Sequence, residues 1–583
     1  MRVDPVTFEV VNSALIGIAD QMAATILRTS YSTVVREMLD YSTAVFDPQG
    51  RIIAQSCRIP IHLNSMSRSL RTTLEDVIPI EDWNEGDIII TNDPYLGGQH
   101  LPDIQTFLPV FAEGHIIAIC GTLDHHLDVG GMRPGSYAGD AVEIYQEGLR
   151  IPPIKLFEKG RPNERLLALI GANIRQPEQT GGDLRSQAAA LKIGRDGIME
   201  LVDRYGVDTL SDCLEDAIDS SETRMRARLR ELPDGTYRGT YYIDDDGVND
   251  ERIKVVTTLT IGDGAIHVDF TGTDEQRRAP INATISSCES ATYFAILSIL
   301  DPTIPANYGL YKPISITAPI GTVVNAQPPA PVVGRNAVTH TIVNTIMMAL
   351  SEIVPERVTA GYYGMSNVHI LSGDGTGQEP SWILFDIEVG GGGARKTKDG
   401  LDCYSQGIHN LANTPIEMIE TVYPLRFNRY ELLPGTGGAG RQRGGLGVRR
   451  DIEFLDKSGI LETQFDKFKV QPFGLFGGEP GACGELYLNP DGASRKRLKS
   501  KTVNQPLRRG DVFSMRTQGG GGYGVPKERS REAIERDVRE GKITGDQAKS
   551  EYGDITRDLA KSEYGDMTRD QAKSEYGDDD DAA

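Results

Sequence analysis

Apolar residues recur at intervals of three and four positions near the start of the chain, as they do on the buried face of a helix. Within residues 5–29 these positions are Val10, Val11, Ala14, Leu15, Ile18, Met22 and Ile26. Residues 42–46 and 51–54 are short apolar runs on either side of Asp47-Pro-Gln-Gly50, which predicts a β-hairpin. Residues 62–77 have helical spacing, and residues 87–91 and 115–123 have the composition of strands. We therefore predict a mixed α and β lobe at the N-terminus.

The patterns farther along predict a long helical region followed by strands. Residues 182–232 are charged with one apolar side, which is typical of a helix, and Pro233-Asp-Gly235 ends them. We interpret this region as a connector. Residues 236–325 are rich in Tyr, Val, Thr and Ile between Gly and Asp turns, which favours a β-rich second lobe. A further helix is predicted over residues 336–352.

Glycine is dense between residues 385 and 525, in the runs Gly390–Gly393, Gly435–Gly440, Gly444–Gly447 and Gly519–Gly522. Glycine permits left-handed turns and close approach of backbones. The runs therefore either join short strands through tight turns or cradle an anion. We favour tight turns, because a permissive backbone is a structural requirement first.

The end of the chain repeats a twelve-residue unit three times, as Ile543–Asp554, Ile555–Asp566 and Met567–Asp578. Each unit has few apolar residues to bury, so we expect short surface helices or disorder without a catalytic role. The predicted fold class is α+β (mixed α/β) and multi-lobed. Its parts are an N-terminal lobe with the helical connector (1–232), a β-rich lobe with glycine-rich loops (233–530) and a C-terminal tail (531–583).

Composition excludes several classes of protein. The chain has 583 residues, 39% of them hydrophobic and 25% charged, as in ordinary globular proteins. Its net charge of −22 argues against nucleic-acid binding. Six cysteines lie far apart without a CxxC pair, which fits a reducing cytoplasm and excludes a zinc ribbon. Glu9, Asn12 and Asp20 interrupt the first apolar stretch, so we expect neither a signal peptide nor a membrane span.

The candidate chemistry lies between Asn92 and His126. The segment Asn92-Asp-Pro-Tyr-Leu-Gly-Gly-Gln-His-Leu-Pro-Asp103 follows a predicted strand and brings His100 and Asp103 into one turn. The next predicted strand ends in Asp124-His-His-Leu-Asp128, which makes His125 available as a third ligand. Two imidazoles and a carboxylate suit zinc, manganese or iron, and three protein ligands leave a position open for water or substrate. Satisfied polar residues of the core remain an alternative interpretation.

Neighbouring residues are second choices. Side chains alternate along an extended segment, so only one of His125 and His126 is expected to face the ion. His126 and Asp124 are the second choices, and the imidazole that is not a ligand can donate a hydrogen bond to one that is. Asp40 ends a helix-like segment before the hairpin and is either an extra ligand or a helix-end residue. His115 opens its strand at the opposite end from His125, and we interpret it as structural.

Several long motifs together carry a resemblance. They are Asp4-Pro-Val-Thr-Phe-Glu-Val10, Asp40-Tyr-Ser42, the segments Asn92–Asp103 and Asp124–Gly131, and Pro434-Gly-Thr-Gly-Gly-Ala-Gly-Arg441. With these motifs the chain resembles the hydantoinase B/oxoprolinase family. The resemblance implies a divalent ion held by Asp40, His100, Asp103 and His125, with zinc favoured over manganese or iron. It also implies that the chain is the B subunit of an ATP-dependent amidohydrolase that opens a lactam, hydantoin or 5-oxoproline ring.

The chain has neither GxxxxGK[ST] nor a Rossmann GxGxxG after a strand, so ATP is expected to bind elsewhere. The resemblance implies a hydantoinase A-type partner, in a heterotetramer of two A and two B subunits. That partner binds ATP and magnesium and phosphorylates the substrate oxygen, directly or by way of carboxyphosphate from bicarbonate. Asp124, His126 and Glu37 are candidate general bases, because each lies near a proposed ligand in sequence.

Two other functions remain open on the sequence alone. The same family includes acetone and acetophenone carboxylase subunits, in which the acceptor would be a phosphorylated enolate; the shorter chain here favours the hydrolase. A non-catalytic scaffold for the A subunit is the third hypothesis. It predicts that the ligand positions are dispensable.

Overall fold

The structure is a computed structural model that describes residues 1–56, 58–62, 64–374 and 381–553. It has a mixed α/β architecture with four sheets in the described residues. The second and third units of the C-terminal repeat lie outside these ranges. In the first unit, residues Gly545–Tyr552 form a helix, with Ala548 and Tyr552 buried. A helix was one of the two expected outcomes for this unit.

The first part of the chain forms a seven-stranded antiparallel sheet with a helical layer on one face. Its sheet order is β2-β1-β5-β4-β3-β6-β7. The elements are α1 (Pro5–Thr29), α2 (Thr33–Arg36), β1 (Tyr41–Phe46), β2 (Ile52–Gln55), α3 (Ser65–Thr72), β3 (Ile88–Thr91), β4 (Asp103–Ala112), β5 (His115–His125), β6 (Ile154–Glu158), β7 (Arg161–Pro162), α4 (Glu164–Ala172), α5 (Pro177–Tyr205) and α6 (Val207–Arg230). The predicted first helix, hairpin and strands are confirmed.

The predicted long connector is a layer of the fold. It consists of two helices, and Gly206 between them has a left-handed backbone (φ +81°). Helix α5 packs on α1, β4 and β5. A Cβ at Gly194 would lie 2.5 Å from Met22 Sδ, so glycine permits this close helix packing. Helix α1 has the length and apolar composition of a membrane span, but its apolar side is buried in this layer. The predicted helical character of residues 182–232 is confirmed, and their role as a connector stays a prediction.

The second part places helices against a four-stranded sheet of order β11-β10-β9-β8. Its elements are β8 (Gly235–Ile243), β9 (Ile253–Gly262), β10 (Ala265–Asp269), α7 (Ile285–Leu300), α8 (Tyr308–Tyr311), β11 (Ile314–Thr317) and α9 (Asn336–Leu350). Helix α9 is confirmed, whereas α7 was not predicted within the β-rich stretch. One hydrophobic core joins this part to the first sheet, because Phe107 and Leu123 pack in the same cluster as Ile296 and Ile342. The domain boundaries stay predictions.

The last part contains two further sheets, of order β13-β12-β16-β19 and β14-β15-β20-β17-β18. The elements are β12 (Asn367–Gly373), β13 (Trp382–Glu388), α10 (Ile416–Val422), β14 (Leu425–Leu432), β15 (Val448–Phe454), β16 (Ser458–Gln464), β17 (Glu485–Leu488), β18 (Lys496–Leu498), β19 (Gln505–Arg508), β20 (Val512–Arg516), α11 (Arg531–Arg539) and α12 (Gly545–Tyr552).

The glycine runs of this part are neither simple turns nor an open cradle. They are backbone segments that cross one another and exchange hydrogen bonds, such as Gly445 N to Gly392 O (2.8 Å) and Gly520 N to Gly445 O (2.9 Å). A Cβ at Gly391 would lie 2.0 Å from Gly445 O. These glycines are needed because the segments approach too closely for any side chain.

Candidate metal centre

The loop between β3 and β4 is held in shape by a buried asparagine. Asn92 Nδ2 donates to Leu101 O (2.7 Å), and its Oδ1 accepts from Ile151 N (2.6 Å). Gly97 has a left-handed backbone (φ +103°), and a Cβ there would lie 2.5 Å from the Ser69 backbone. Only glycine fits this close approach. The loop therefore turns back within a few residues, as the Gly-Gly pair of the sequence led us to expect.

Three ligand-type atoms converge where this loop meets the end of β5. His100 Nε2 lies 2.9 Å from Asp103 Oδ1 and 3.2 Å from His125 Nδ1. His125 Nδ1 lies 3.1 Å from the same carboxylate oxygen. All three side chains are buried. Ligands on a tetrahedral ion are about 3.3 Å apart when the bonds are about 2.0–2.1 Å long. The triangle is close to this size, so the residues fit a small divalent ion.

The sheet register explains why His125 meets Asp103. Strands β4 and β5 are antiparallel, and Asp103 is directly opposite His125 in the ladder. Opposite residues project to the same face of a sheet. His100 then needs only the turn before β4 to join them, and Asp103 N donates to His100 O within that turn (3.1 Å).

Arg335, at the start of α9, orients two of the three residues. Its Nη2 donates to Asp103 Oδ2 (2.8 Å) and its Nη1 to His100 Nδ1 (2.9 Å). Asp103 Oδ1 is thereby left facing the imidazoles. The segment that precedes Arg335 is held by the buried Glu147, whose carboxylate accepts from Val332 N (3.0 Å) and Val333 N (2.9 Å). Arg335 was not predicted from the sequence, since no spacing connects it with the loop.

Burial and neighbouring charges prepare these groups as ligands. Burial alone would raise the pKa of Asp103, but His100 and Arg335 outweigh it and hold this pKa well below its ordinary value. Burial and the Arg335 charge lower the pKa of His100 to about 3. Asp103 is therefore ionised and His100 neutral at pH 7, and these are the forms that bind metals.

Asp40 lies at the edge of the cluster. Its Oδ2 is 3.9 Å from His125 Nδ1 and its Oδ1 is 3.7 Å from His62 Nε2. His62 Nδ1 is 2.9 Å from Ser42 Oγ, which holds the ring in place. Burial raises the pKa of Asp40, although His125 opposes this effect. His62 was not singled out in the sequence, because no motif includes it; it ends a short 3-10 helix, Pro60–His62.

Two of the candidate general bases face the other side of the sheet. Asp124 is opposite Tyr41 and Ile104 in the ladders, one position out of phase with His125. Both of its oxygens lack partners among the described residues. His126 Nε2 lies 3.3 Å from Gln187 Oε1 on α5. Glu37 directly follows α2, and its Oε1 lies 3.9 Å from Arg36 Nη2. The structure therefore does not bring Asp124, His126 and Glu37 to the metal cluster, and the general base stays a prediction.

A small cavity opens beside the ligand triangle. It is lined by polar groups, namely Asp40, His62, His100, His125, Tyr137, Arg335, Asn336, His340, Ser366 and His409, and by the apolar Ile59, Ile61, Phe385, Ile387, Ile408 and Leu411. Phe385 packs on the His125 ring, with 4.9 Å between ring centroids. Strand β13 and helix α9 thus complete a cavity whose ligands come from the first sheet. The cavity measures about 30 Å³, which is room among these side chains for a group the size of a water molecule or a carbonyl oxygen.

The chain is similar to known proteins over nearly its whole length. The Hydantoinase B/oxoprolinase family model matches residues 4–526. The B subunit of a putative D-/L-hydantoinase from Pseudomonas sp. strain NS671 is 35% identical, over 95% of each chain. The beta subunit of the caprolactamase from Pseudomonas jessenii is 33% identical, over 94% of this chain and 96% of that one. The chain therefore belongs to the hydantoinase B/oxoprolinase family.

Two solved structures share the fold. The ATP-dependent caprolactamase of Pseudomonas jessenii superposes with a TM-score of 0.87 and 32% identity, over 94% of this chain and 96% of that one. The nucleotide-free acetone carboxylase also has a TM-score of 0.87, at 20% identity, over 94% of this chain and 79% of that one. The second likeness shows the common fold alone. The family and its named relatives make the chain a B-type subunit related to cyclic-amide hydrolases.

Proposed function

We propose that this chain is the metal-binding B subunit of a two-component, ATP-dependent amidohydrolase that opens a cyclic amide. The observation that carries the proposal is the buried triangle of His100 Nε2, Asp103 Oδ1 and His125 Nδ1 beside a cavity. We assign Asp40 as a fourth ligand at longer range, and zinc as the favoured ion over manganese or iron. Hydantoin, lactam and 5-oxoproline rings are the substrate class, by analogy with the named relatives.

The proposal includes a partner subunit. An unstrained amide carbonyl is a poor electrophile, and this sequence has no recognisable nucleotide motif. Two relatives are themselves named as subunits. We propose that an A-type partner binds ATP and magnesium and phosphorylates the carbonyl oxygen, with bicarbonate as a further co-substrate where carboxyphosphate is used. The assembly would be a cytoplasmic heterotetramer of two A and two B subunits. The five described cysteines are free thiols, which agrees with a reducing compartment.

The residues of this chain then have distinct tasks. A divalent ion bound here would act as a Lewis acid and lower the pKa of a water molecule. Asp103 presents one oxygen to the site because Arg335 holds the other. When His100 Nε2 is a ligand, its Nδ1 would carry the proton and donate it to Val333 O (3.4 Å), in place of accepting from Arg335 Nη1. Phe385 and Ile387 supply an apolar part of the cavity wall beside these groups.

A reconstituted complex tests this proposal. The chain is co-expressed with its A-type partner, supplied with ATP, and offered lactams, hydantoins and 5-oxoproline; ADP, ring-opened product and bound metal are measured. We expect His100→Ala and His125→Ala to lose both the metal and the product, whereas the exposed His115→Ala retains both. Normal turnover and metal content in His100→Ala would refute the metal site. Turnover in all ligand variants would favour the scaffold hypothesis. If the complex, also supplied with a ketone and bicarbonate, forms product only from that pair, the carboxylase hypothesis would be favoured.

A further inference from the structure

His340 is a buried histidine of the cavity that is not among the proposed metal ligands. It lies on α9, is fully buried, and lines the same cavity as His100 and His125. Its Nδ1 is 2.8 Å from the hydroxyl of Tyr362. Its Nε2 has no hydrogen-bond partner among the residues that the structure describes. A polar nitrogen left unpaired in a protein interior is costly, so it points to a missing partner.

The Tyr362 contact defines which nitrogen carries the proton. Tyr362 is also fully buried, and His340 Nδ1 is the one partner of its hydroxyl within the described ranges. If Nδ1 carried the proton and donated it to Tyr362, both the phenol hydrogen and Nε2 would be left unpaired. If the phenol donates to Nδ1, only one group stays unpaired, namely Nε2–H. The second arrangement costs less free energy, because it buries fewer unsatisfied groups.

The neighbouring His409 is a useful contrast. Its ring is 4.8 Å from that of His340, centroid to centroid, and it lines the same cavity. However, its Nδ1 is 3.0 Å from Ser405 Oγ and its Nε2 is 3.3 Å from the Tyr363 hydroxyl. Both nitrogens of His409 are therefore satisfied by the protein. Of the two rings, His340 is the one that retains a free hydrogen-bonding group for a ligand.

We infer that His340 Nε2–H donates a hydrogen bond to the reacting oxygen of a substrate bound in the cavity that His100 and His125 also line. The inference rests on the proposed function, since it needs a substrate carbonyl or its phosphorylated form in this cavity. Water adds to the carbon of the phosphorylated amide and the bond from that carbon to the phosphate oxygen then breaks, so negative charge grows on the departing oxygen, and a fixed donor stabilises it. Tyr362 is the positioning residue, because its hydroxyl keeps the proton of His340 on Nε2.

The protonation state of His340 suits this role. Burial and the nearby His409 lower the pKa of His340 well below its ordinary value, so the ring is neutral. A neutral imidazole donates through Nε2–H without giving up a proton, and it does not repel a nearby cation as an imidazolium would. The chemical class of ligand is therefore an oxygen acceptor, a carbonyl or a phosphorylated carbonyl, and not a second metal ion.

Variants of the reconstituted complex test the assignment. We expect His340→Leu to lower kcat by roughly 10²- to 10³-fold with metal content unchanged, as when one oxyanion donor is removed. His340→Gln keeps an N–H donor and should recover part of the loss. Tyr362→Phe should lower kcat by roughly tenfold, the size expected when about 1.4 kcal/mol of orientation is lost. His115→Leu, at an exposed site, is the matched control. A kcat of His340→Leu within threefold of the wild type would overturn the inference, as would Gln behaving no better than Leu.

A second measurement does not depend on turnover. Nitrogen NMR of ¹⁵N-histidine-labelled chain, assigned by comparison with His340→Gln, reports which ring nitrogen carries the proton. We expect Nε2 to be protonated in the wild type and the two tautomers to mix in Tyr362→Phe. Protonation of Nδ1 in the wild type would overturn the assignment. A wild-type complex that opens no cyclic amide would refute the proposed function, whereas the tautomer result would still decide the role of His340 as a donor.

Discussion

The guanidinium of Arg335 donates a 2.8 Å hydrogen bond to Asp103 Oδ2, although the two residues are 232 positions apart in the sequence. Both side chains are buried, so the pair is shielded from solvent. The contact links α9 with the first residue of β4. It also decides which oxygen of Asp103 faces His100 and His125. A residue outside the candidate ligand set thus fixes the orientation of Asp103 within that set.

The first prediction concerns this contact. Arg335→Lys keeps the positive charge but loses the planar fork that reaches Asp103 and His100 together. We expect metal affinity to fall by roughly 10- to 100-fold, as for other residues that orient ligands. Titration of the metal against a competing chelator measures this. Arg426→Lys, in an exposed pair with Glu453, is the control; an equal loss of affinity in both variants would contradict the assignment.

A second prediction ranks the carboxylates. Asp103 Oδ1 is within 3.1 Å of both imidazoles, whereas the closest Asp40 oxygen is 3.9 Å from His125. We therefore expect Asp103→Asn to weaken metal binding more than Asp40→Asn does. Metal content after dialysis against graded chelator concentrations gives the order. The reverse order would show that Asp40 is the primary carboxylate ligand.

A third prediction concerns Asp124 and His126, whose side chains lie on the face of the sheet opposite that of His125. Asp124→Asn is nearly isosteric, and burial together with Asp183 raises the pKa of Asp124 well above its ordinary value, which favours the uncharged form that Asn resembles. We expect Asp124→Asn and His126→Gln to retain their metal and to change kcat by less than roughly tenfold. A loss of several orders of magnitude in kcat with normal metal content would instead make one of them the general base.

A fourth prediction concerns pH and Glu462 on β16. Burial raises the pKa of this carboxyl from 4.5 to about 7, and Oε2 has no partner in the described part of the chain. Between these two values the folded state binds more protons than the unfolded state, so stability falls as pH rises from about 4.5 to 7. We expect Glu462→Gln to remove this pH-dependent decrease in the free energy of unfolding, which is up to roughly 3 kcal/mol.

The measurement for Glu462 is thermal unfolding of wild type and variant at pH 5 and pH 8. Tm of Glu462→Gln minus Tm of the wild type should be higher at pH 8 than at pH 5. The exposed Glu9→Gln controls for the change in net charge. A difference in Tm that does not depend on pH would contradict the assigned ionisation.

A fifth prediction tests the crossing glycine segments. Gly391→Ala places a Cβ 2.0 Å from Gly445 O, a backbone atom that cannot move aside alone. We expect a loss of more than roughly 3 kcal/mol or failure to accumulate as folded protein. Gly17→Ala, within α1 with no atom inside 4 Å of the added Cβ, should be neutral or stabilising by up to about 1 kcal/mol. Equal Tm values for the two variants would refute the packing argument.

Much of the architecture followed from local patterns. The period of Val11, Leu15, Ile18 and Met22 identified α1, and the hairpin around Asp47–Gly50 had its turn residues in place. The three atoms that converge were also predicted, since His100 and Asp103 share one turn and His125 ends the following strand. Strand β4 and helix α7 were missed. The hydrophobic periodicity of these two segments is weaker than that of the elements beside them, and tertiary packing decides the secondary structure of such segments.

The sequence by itself determined the family, the class of fold and the three residues of the candidate metal centre, because these depend on residues that are close in sequence or lie in long motifs. Only the tertiary structure decided the rest of the site. It brought Arg335, His62 and His340 to the cavity and placed Asp124 and His126 behind the sheet. The physical reason is that strand register alternates side chains between faces, and helices distant in sequence pack over one of them. Residue spacing carries no information about which distant helix that will be.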